Sequence, residues 1–156
     1  MGVTMSFARI ALDDLRRMLD DAAWGEEFLA RFTPPEGDPD GDLDKAWGGL
    51  DFLLTAAEAG VDLCHAGIPL ESGGGRYTAW RPKLVAATAE RLGGLTFDEL
   101  AGHYDPPAME AAEVYPPIWA RDGGDALPYL RAGYRDLVAI FAHAARSGYP
   151  LLQRCG

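Results

Sequence analysis

The sequence predicts a single α+β domain over residues 1–156, predominantly helical, with several helices packed on a small sheet. Three observations carry this. Apolar residues recur at helical spacing in several stretches, most regularly at Asp42–Ala57 and Asp125–Ser147. Short runs without that period, Met5–Ala11, Tyr77–Trp80 and Leu151–Cys155, read as strands. No internal repeat or linker divides the chain, and 156 residues suffice for one buried core.

The elements follow in order. After the first strand, Asp13 is placed to cap a helix with Leu15, Met18, Leu19 and Ala22 on one face, and a second short helix spans Trp24–Phe32. Thr33–Gly41 is a loop rich in proline, glycine and acid. In the central helix Leu43, Ala46, Trp47, Leu50, Leu53, Leu54 and Ala57 share a face, Asp42 is the expected N-cap, and Asp44 complements the dipole of the first turn. Ile68–Gly75 reads as a loop ending in three glycines, expected to be mobile, and Pro82 opens a helix that Gly93-Gly94 ends. Thr96-Phe97-Asp98-Glu99 is a capping box with Leu95 and Leu100 as its hydrophobic staple. Asp105-Pro106 starts a helix to Ala112, and a turn follows at Tyr115–Trp119. The longest helix then buries Leu127, Leu130, Tyr134, Leu137, Val138, Phe141 and Ala145, and Gly148 terminates it.

Composition excludes several function classes. Hydrophobic residues make up 48% and charged residues 24%, an ordinary globular balance. No apolar run reaches the length of a membrane span, and no secretory leader is legible, so no membrane partner and a cytoplasmic location are expected. Met1–Ser6 fits the N-myristoylation pattern, but the residues that follow read as a buried strand. The formal charge of −10 repels a phosphate backbone and attracts a basic protein partner. Cys64 and Cys155 make no disulfide framework.

Candidate chemistry is sparse, and no cofactor is implied. Asp38, Asp40, Asp42 and Asp44 alternate as in a calcium loop, yet an EF-hand count from Asp38 puts Leu43 at the glycine position and Gly49 at the bidentate glutamate. A solvated loop entering a helix explains the run without a metal. His65, His103, His143 and the cysteines lack a zinc spacing. Ser72 lacks a nucleophile elbow, and the triple glycine lacks the lysine of a phosphate loop. Gly48-Gly49, inside a helix, calls for close approach by another backbone or by a ligand.

Leu43-Asp44-Lys45-Ala46-Trp47, followed by Gly49-Leu50 and Phe52-Leu53-Leu54-Thr55, resembles the central motif of the YfbM-like proteins, a mostly bacterial family of uncharacterised function. Met1-Gly2 with Phe7, Arg76-Tyr77 with the helix from Pro82, Val114-Tyr115-Pro116 with Ile118-Trp119 and Arg121-Asp122, and Leu151-Leu152 extend the likeness over nearly the whole chain. The resemblance implies an α+β fold and transfers no activity. Many relatives carry histidines where this chain has Gly48 and Asp51, which weakens any imidazole-based chemistry here. The motif positions Asp44, Lys45, Trp47, Gly48, Tyr115, Trp119, Arg121 and Asp122 are the ligand-binding candidates, with Trp47 and Tyr115 also explicable as core and the charged residues as caps and ion pairs.

Three functional readings stand. The first is a non-enzymatic interaction module, accessory or immunity-type, for a basic partner. The second is an enzyme or binder for a small anionic, nucleotide-like ligand held by Lys45 and Arg121 beside Trp119, with Asp44 or Asp122 as acid or base. The third is a divalent metal site in the Asp38–Asp44 loop.

Overall fold

A computed structural model describes residues 2–156; Met1, grouped above with Gly2 as a family feature, lies outside them. The chain runs β1 (Met5–Arg9), α1 (Leu12–Asp20), α2 (Ala22–Arg31), α3 (Trp47–Ala56), β2 (Ile68–Pro69), β3 (Tyr77–Trp80), α4 (Pro82–Gly93), α5 (Phe97–Ala101), α6 (Pro106–Ala111), α7 (Trp119–Asp122), a 3-10 turn (Gly123–Ala126), α8 (Leu127–Arg146) and β4 (Leu151–Cys155).

The α+β expectation holds. The sheet has the order β1-β4-β3-β2 and every pairing is antiparallel. Side chains alternate across it, as the pleat requires. Phe7, Trp80 and Leu151 face the main core with α3, α4 and α8, whereas Ala79 and Leu152 face Leu15, Met18 and Leu29 of α1 and α2. The sheet is therefore covered on both faces by helices. Phe7, Trp80 and Phe141 form an edge-to-face triad with centroids 5.1–5.6 Å apart. Gln153 is the one polar side chain of β4 turned into that core. It accepts from Trp80 Nε1 (2.8 Å) and donates to the Leu63 carbonyl (2.6 Å), tying the 61–65 loop to the sheet.

Several boundaries differ from the sequence reading. The central helix begins at Trp47, not Asp42. Residues 41–44 instead lie along the free edge of β1, where Phe7 N donates to Gly41 O, Leu43 N to Met5 O and Met5 N to Asp44 O. Asp42 caps no helix; its carboxylate accepts from Asp44 N (2.8 Å), and Asp44 takes a left-handed φ of 48° outside any first turn. Leu43 and Ala46 are buried as the apolar stripe requires, so the periodicity reported burial correctly in a segment that is not helical. Helix α1 starts at Leu12 with Asp13 inside its first turn, Ala22 begins α2, and Asp21 caps α2 by accepting from Trp24 N. The loop at 68–75 contains the two-residue edge strand β2, whose Pro69 suits only an edge. The start of its glycine run is anchored, buried Ser72 donating to Ala22 O and Gly73 N to Glu26, while Gly74 and Gly75 stand in open space. The long helix starts at Leu127 after the 3-10 turn, β1 stops at Arg9, and Trp119 opens α7 instead of closing a turn. The capping box at Thr96–Glu99 is present in full.

Candidate functional site

The two sequence motifs meet. Helix α3 presents Trp47 at its first turn, and the segment after α6 lays Tyr115 over it, with ring centroids 5.5 Å apart and planes 22° from parallel. Both rings are half-buried, unlike Trp119, which is 1% exposed and donates from Nε1 to the Val114 carbonyl. The N-terminal strand clasps the pair: Trp47 Nε1 donates to Val3 O (2.9 Å), and Val3 N donates to the Tyr115 hydroxyl (2.8 Å).

This contact accounts for the helical glycines. A Cβ on Gly48 would strike the Tyr115 carbonyl oxygen and sit 3.0 Å from its carbon. One on Gly49 would stand 2.6 Å from the rim of the Trp119 indole and 2.7 Å from Leu130. Close packing of the second motif on the first therefore requires Gly48-Gly49, despite about 1 kcal/mol per residue of lost helix propensity.

Two cavities open on either side of the Glu113–Tyr115 segment. One, of about 460 Å³, lies toward α3, with Trp47, Phe52 and Tyr115 as aromatic walls and Asp51 and Glu113 as its carboxylates. The other, of about 380 Å³, lies toward α7, edged by Glu110, Glu113 and Arg121 around Tyr115 and Trp119. Glu113 projects from a left-handed backbone (φ 54°) just past the end of α6, which places it between the two. Asp51 accepts from Leu63 N (3.1 Å), and burial raises its carboxyl pKa above the ordinary value.

The charged candidates do not converge as an anion clamp would. Lys45 lines neither cavity; its stem lies by Gly2, where a Cβ would meet Lys45 Cε at 2.6 Å, close to the Tyr115 hydroxyl. Its backbone N–H donates to the Tyr129 hydroxyl, which in turn donates to Asp44 (2.8 Å). Burial and the Asp44 carboxylate push the Tyr129 pKa up to about 12, so that hydroxyl stays protonated as a donor. Arg121 lines the smaller cavity but pairs with its neighbour Asp122 at 2.7 Å.

Each carboxylate of the acidic loop has an intramolecular task. Asp38, with 8% of its side chain exposed, takes Arg9 (2.9 Å) and His143 (3.0 Å), and the Arg9 hydrogen bond holds its pKa below the ordinary value. Asp40 accepts from Asp42 N, Asp42 from Asp44 N, and Asp44 from Tyr129. Among the described residues no three His, Cys, Asp or Glu side chains converge in a geometry that could hold a metal. Cys64 lies beside Asp51, and burial with that carboxyl pushes its thiol pKa up to about 12, the opposite of an activated nucleophile.

The family described as "Domain of unknown function (DUF1877)" matches residues 1–153. The chain belongs to this family. The fold is also that of the crystal structure of YfbM from Escherichia coli, titled a protein of unknown function, with a TM-score of 0.71 and 20% identity over 98% of this chain and 99% of that one. No curated protein matches the chain. The family resemblance drawn from the motifs is thus correct, and the two motifs pack together at the Trp47–Tyr115 stack, with one cavity on each side of the Glu113–Tyr115 segment.

Glu110 and Glu113 were not legible as cleft residues. Glu113 stands directly before Val114-Tyr115-Pro116, so adjacency to the motif was the available signal, but its left-handed backbone is set by how α6 ends. Asp51 and Phe52 were visible only as positions of the central motif.

Proposed function

We propose that the chain is a non-catalytic interaction module whose cleft around Tyr115 receives a basic side chain, lysine or arginine, of a protein partner. The observation that carries this reading is the composition of the two cavities that flank Tyr115: stacked Trp47 and Tyr115 with Asp51, Glu110 and Glu113, against a single lining cation, Arg121, that pairs with Asp122. An aromatic face backed by carboxylates attracts a cation through both its quadrupole and its charge. The formal charge of −10 steers a basic partner from a distance.

The anionic-ligand reading needs Lys45 and Arg121 in one cavity, and it draws less support here, since only Arg121 lines one and Asp122 neutralises it. Titration calorimetry with an arginine-rich peptide, an acidic peptide of equal length and inorganic phosphate separates the two. The expected result is binding of the basic peptide alone, weakened by about fivefold or more in a Glu110→Gln/Glu113→Gln variant. Binding of phosphate, or basic-peptide binding indifferent to both substitutions, would overturn the assignment.

A further inference from the structure

The opposite sign of charge gathers elsewhere. A cavity of about 510 Å³ opens between α1 and the start of α4, with Arg16, Arg81 and Lys83 on its walls and Leu12, Leu15 and Leu19 as its apolar side. No aspartate or glutamate lines it among the described residues. That is unusual in a chain with 24 acidic and 14 basic residues, of which only two are lysines. Arg16 has one distant neighbour, Asp13 at 3.8 Å, and both side chains are largely in water, so little of its charge is cancelled.

Two features set this cavity apart from ordinary surface. The cations oppose the local helix: Arg81 is the N-cap of α4 and Lys83 stands in its first turn, where no acidic residue is present. Positive charge at a helix N-terminus repels the dipole, so these residues destabilise the helix they begin. Such a local conflict is expected where a site is built for something other than stability. The second feature is apolar. Leu12, Leu15 and Leu19 follow one face of α1, Leu15 is 1% exposed, and Leu19 at 36% is one of only two large apolar side chains left open to solvent among the described residues. Buried and open leucines thus lead from the core to a cationic rim.

We infer that this cavity binds a small organic anion bearing a short alkyl chain, a phosphate or carboxylate held by Arg16, Arg81 and Lys83 with its chain against Leu12, Leu15 and Leu19. The volume lies within the range of small-ligand sites. An anion there relieves both the mutual repulsion of the three cations and their conflict with the α4 dipole. The apolar chain covers the exposed leucine. This site is separate from the Tyr115 cleft, and neither depends on the other.

The test uses n-octyl phosphate as the probe, with inorganic phosphate, n-octyl glucoside and phosphatidylglycerol vesicles as comparisons, followed by calorimetry and by amide shifts in two-dimensional NMR. Saturable one-to-one binding of octyl phosphate is expected, tighter than inorganic phosphate, with shifts confined to α1 and the start of α4. Arg81→Gln and Lys83→Gln should each weaken it by about fivefold, and raised salt should weaken it further. Both residues are exposed, so the variants keep the fold, which circular dichroism verifies. No saturable binding overturns the proposal. So does equal affinity for octyl glucoside, binding unmoved when Arg81→Gln and Lys83→Gln are combined, or binding to vesicles without binding of octyl phosphate.

Discussion

Replacing Gly48 by alanine tests why the two motifs are built as they are. In a free helix the change would stabilise by about 1 kcal/mol. Here the new methyl lands on the Tyr115 carbonyl, a backbone group that no rotamer change can move aside, and lies 3.0 Å from the carbonyl carbon. Forcing an extra methyl into packed structure costs about 1–3 kcal/mol, and a backbone obstacle belongs at the upper end. The net expectation is destabilisation by about 2 kcal/mol, lowering Tm by roughly 4–8 °C for a domain of this size. Gly93→Ala supplies the opposite sign. Gly93 lies in the last turn of α4 with nothing within 4 Å of its Cβ position, so alanine should stabilise by about 0.5 kcal/mol. Urea denaturation of the two variants beside the parent gives both values. A Gly48→Ala protein as stable as the parent, or more so, would refute the backbone contact and with it the union of the motifs.

Other outcomes follow from named contacts. Arg9 holds the Asp38 carboxyl below its ordinary pKa of 3.8, so the pair stabilises the fold above that pH, and the stability is lost as pH falls through the depressed folded value. Asp38→Asn should cost about 2 kcal/mol at pH 7 and flatten the acid limb of a stability-versus-pH curve measured by denaturant titration. Gln153→Leu leaves Trp80 Nε1 and the Leu63 carbonyl unpaired in the core and should lower stability by about 3 kcal/mol, read from chemical denaturation. The Cys64 thiol, pushed up to about 12, should alkylate with iodoacetamide more slowly at pH 8 than a free thiol, and Asp51→Asn should speed the reaction.

Much of the fold was legible because its signals are local. The capping box at Thr96 and Pro82 at the start of α4 depend on neighbours within a few residues and are where the pattern placed them. On α8 the stripe is right at Leu130, Tyr134, Leu137 and Phe141, while Leu127, Val138 and Ala145 are only partly buried and Ile140 and Ala144 complete the buried face. The start of α3 was not legible. Leu43 and Ala46 have helical spacing with Leu50, but the pairing of residues 41–44 with β1 supplies backbone hydrogen bonds that a first helical turn would otherwise have made. The same tertiary contact turned Asp42 from a helix cap into the cap of a turn. Trp47, Gly48 and Tyr115, marked by the motifs, meet in the structure, whereas Lys45 lies by Gly2 and lines neither cavity. Where the Lys45 side chain lies, in the turn before α3, depends on where the N-terminal segment passes, and that is a long-range fact. The carboxylates that border the two cavities come from α3 and from the end of α6, far apart in the sequence, and only folding brings them to either side of Tyr115.

The decisive event is the entry of a basic group between Trp47 and Glu113. The indole N–H signals of the four tryptophans report on it directly: Trp47 and Trp119 border the cleft, Trp80 is sealed in the core, and Trp24 packs under Arg17 on the far helical layer. On titration with an arginine-rich peptide, the Trp47 signal should shift most and Trp119 next, with Trp80 and Trp24 unmoved and the shifts abolished by Glu113→Lys. A peptide that binds while leaving Trp47 in place, or that shifts Trp24 instead, would contradict the assignment of the cleft.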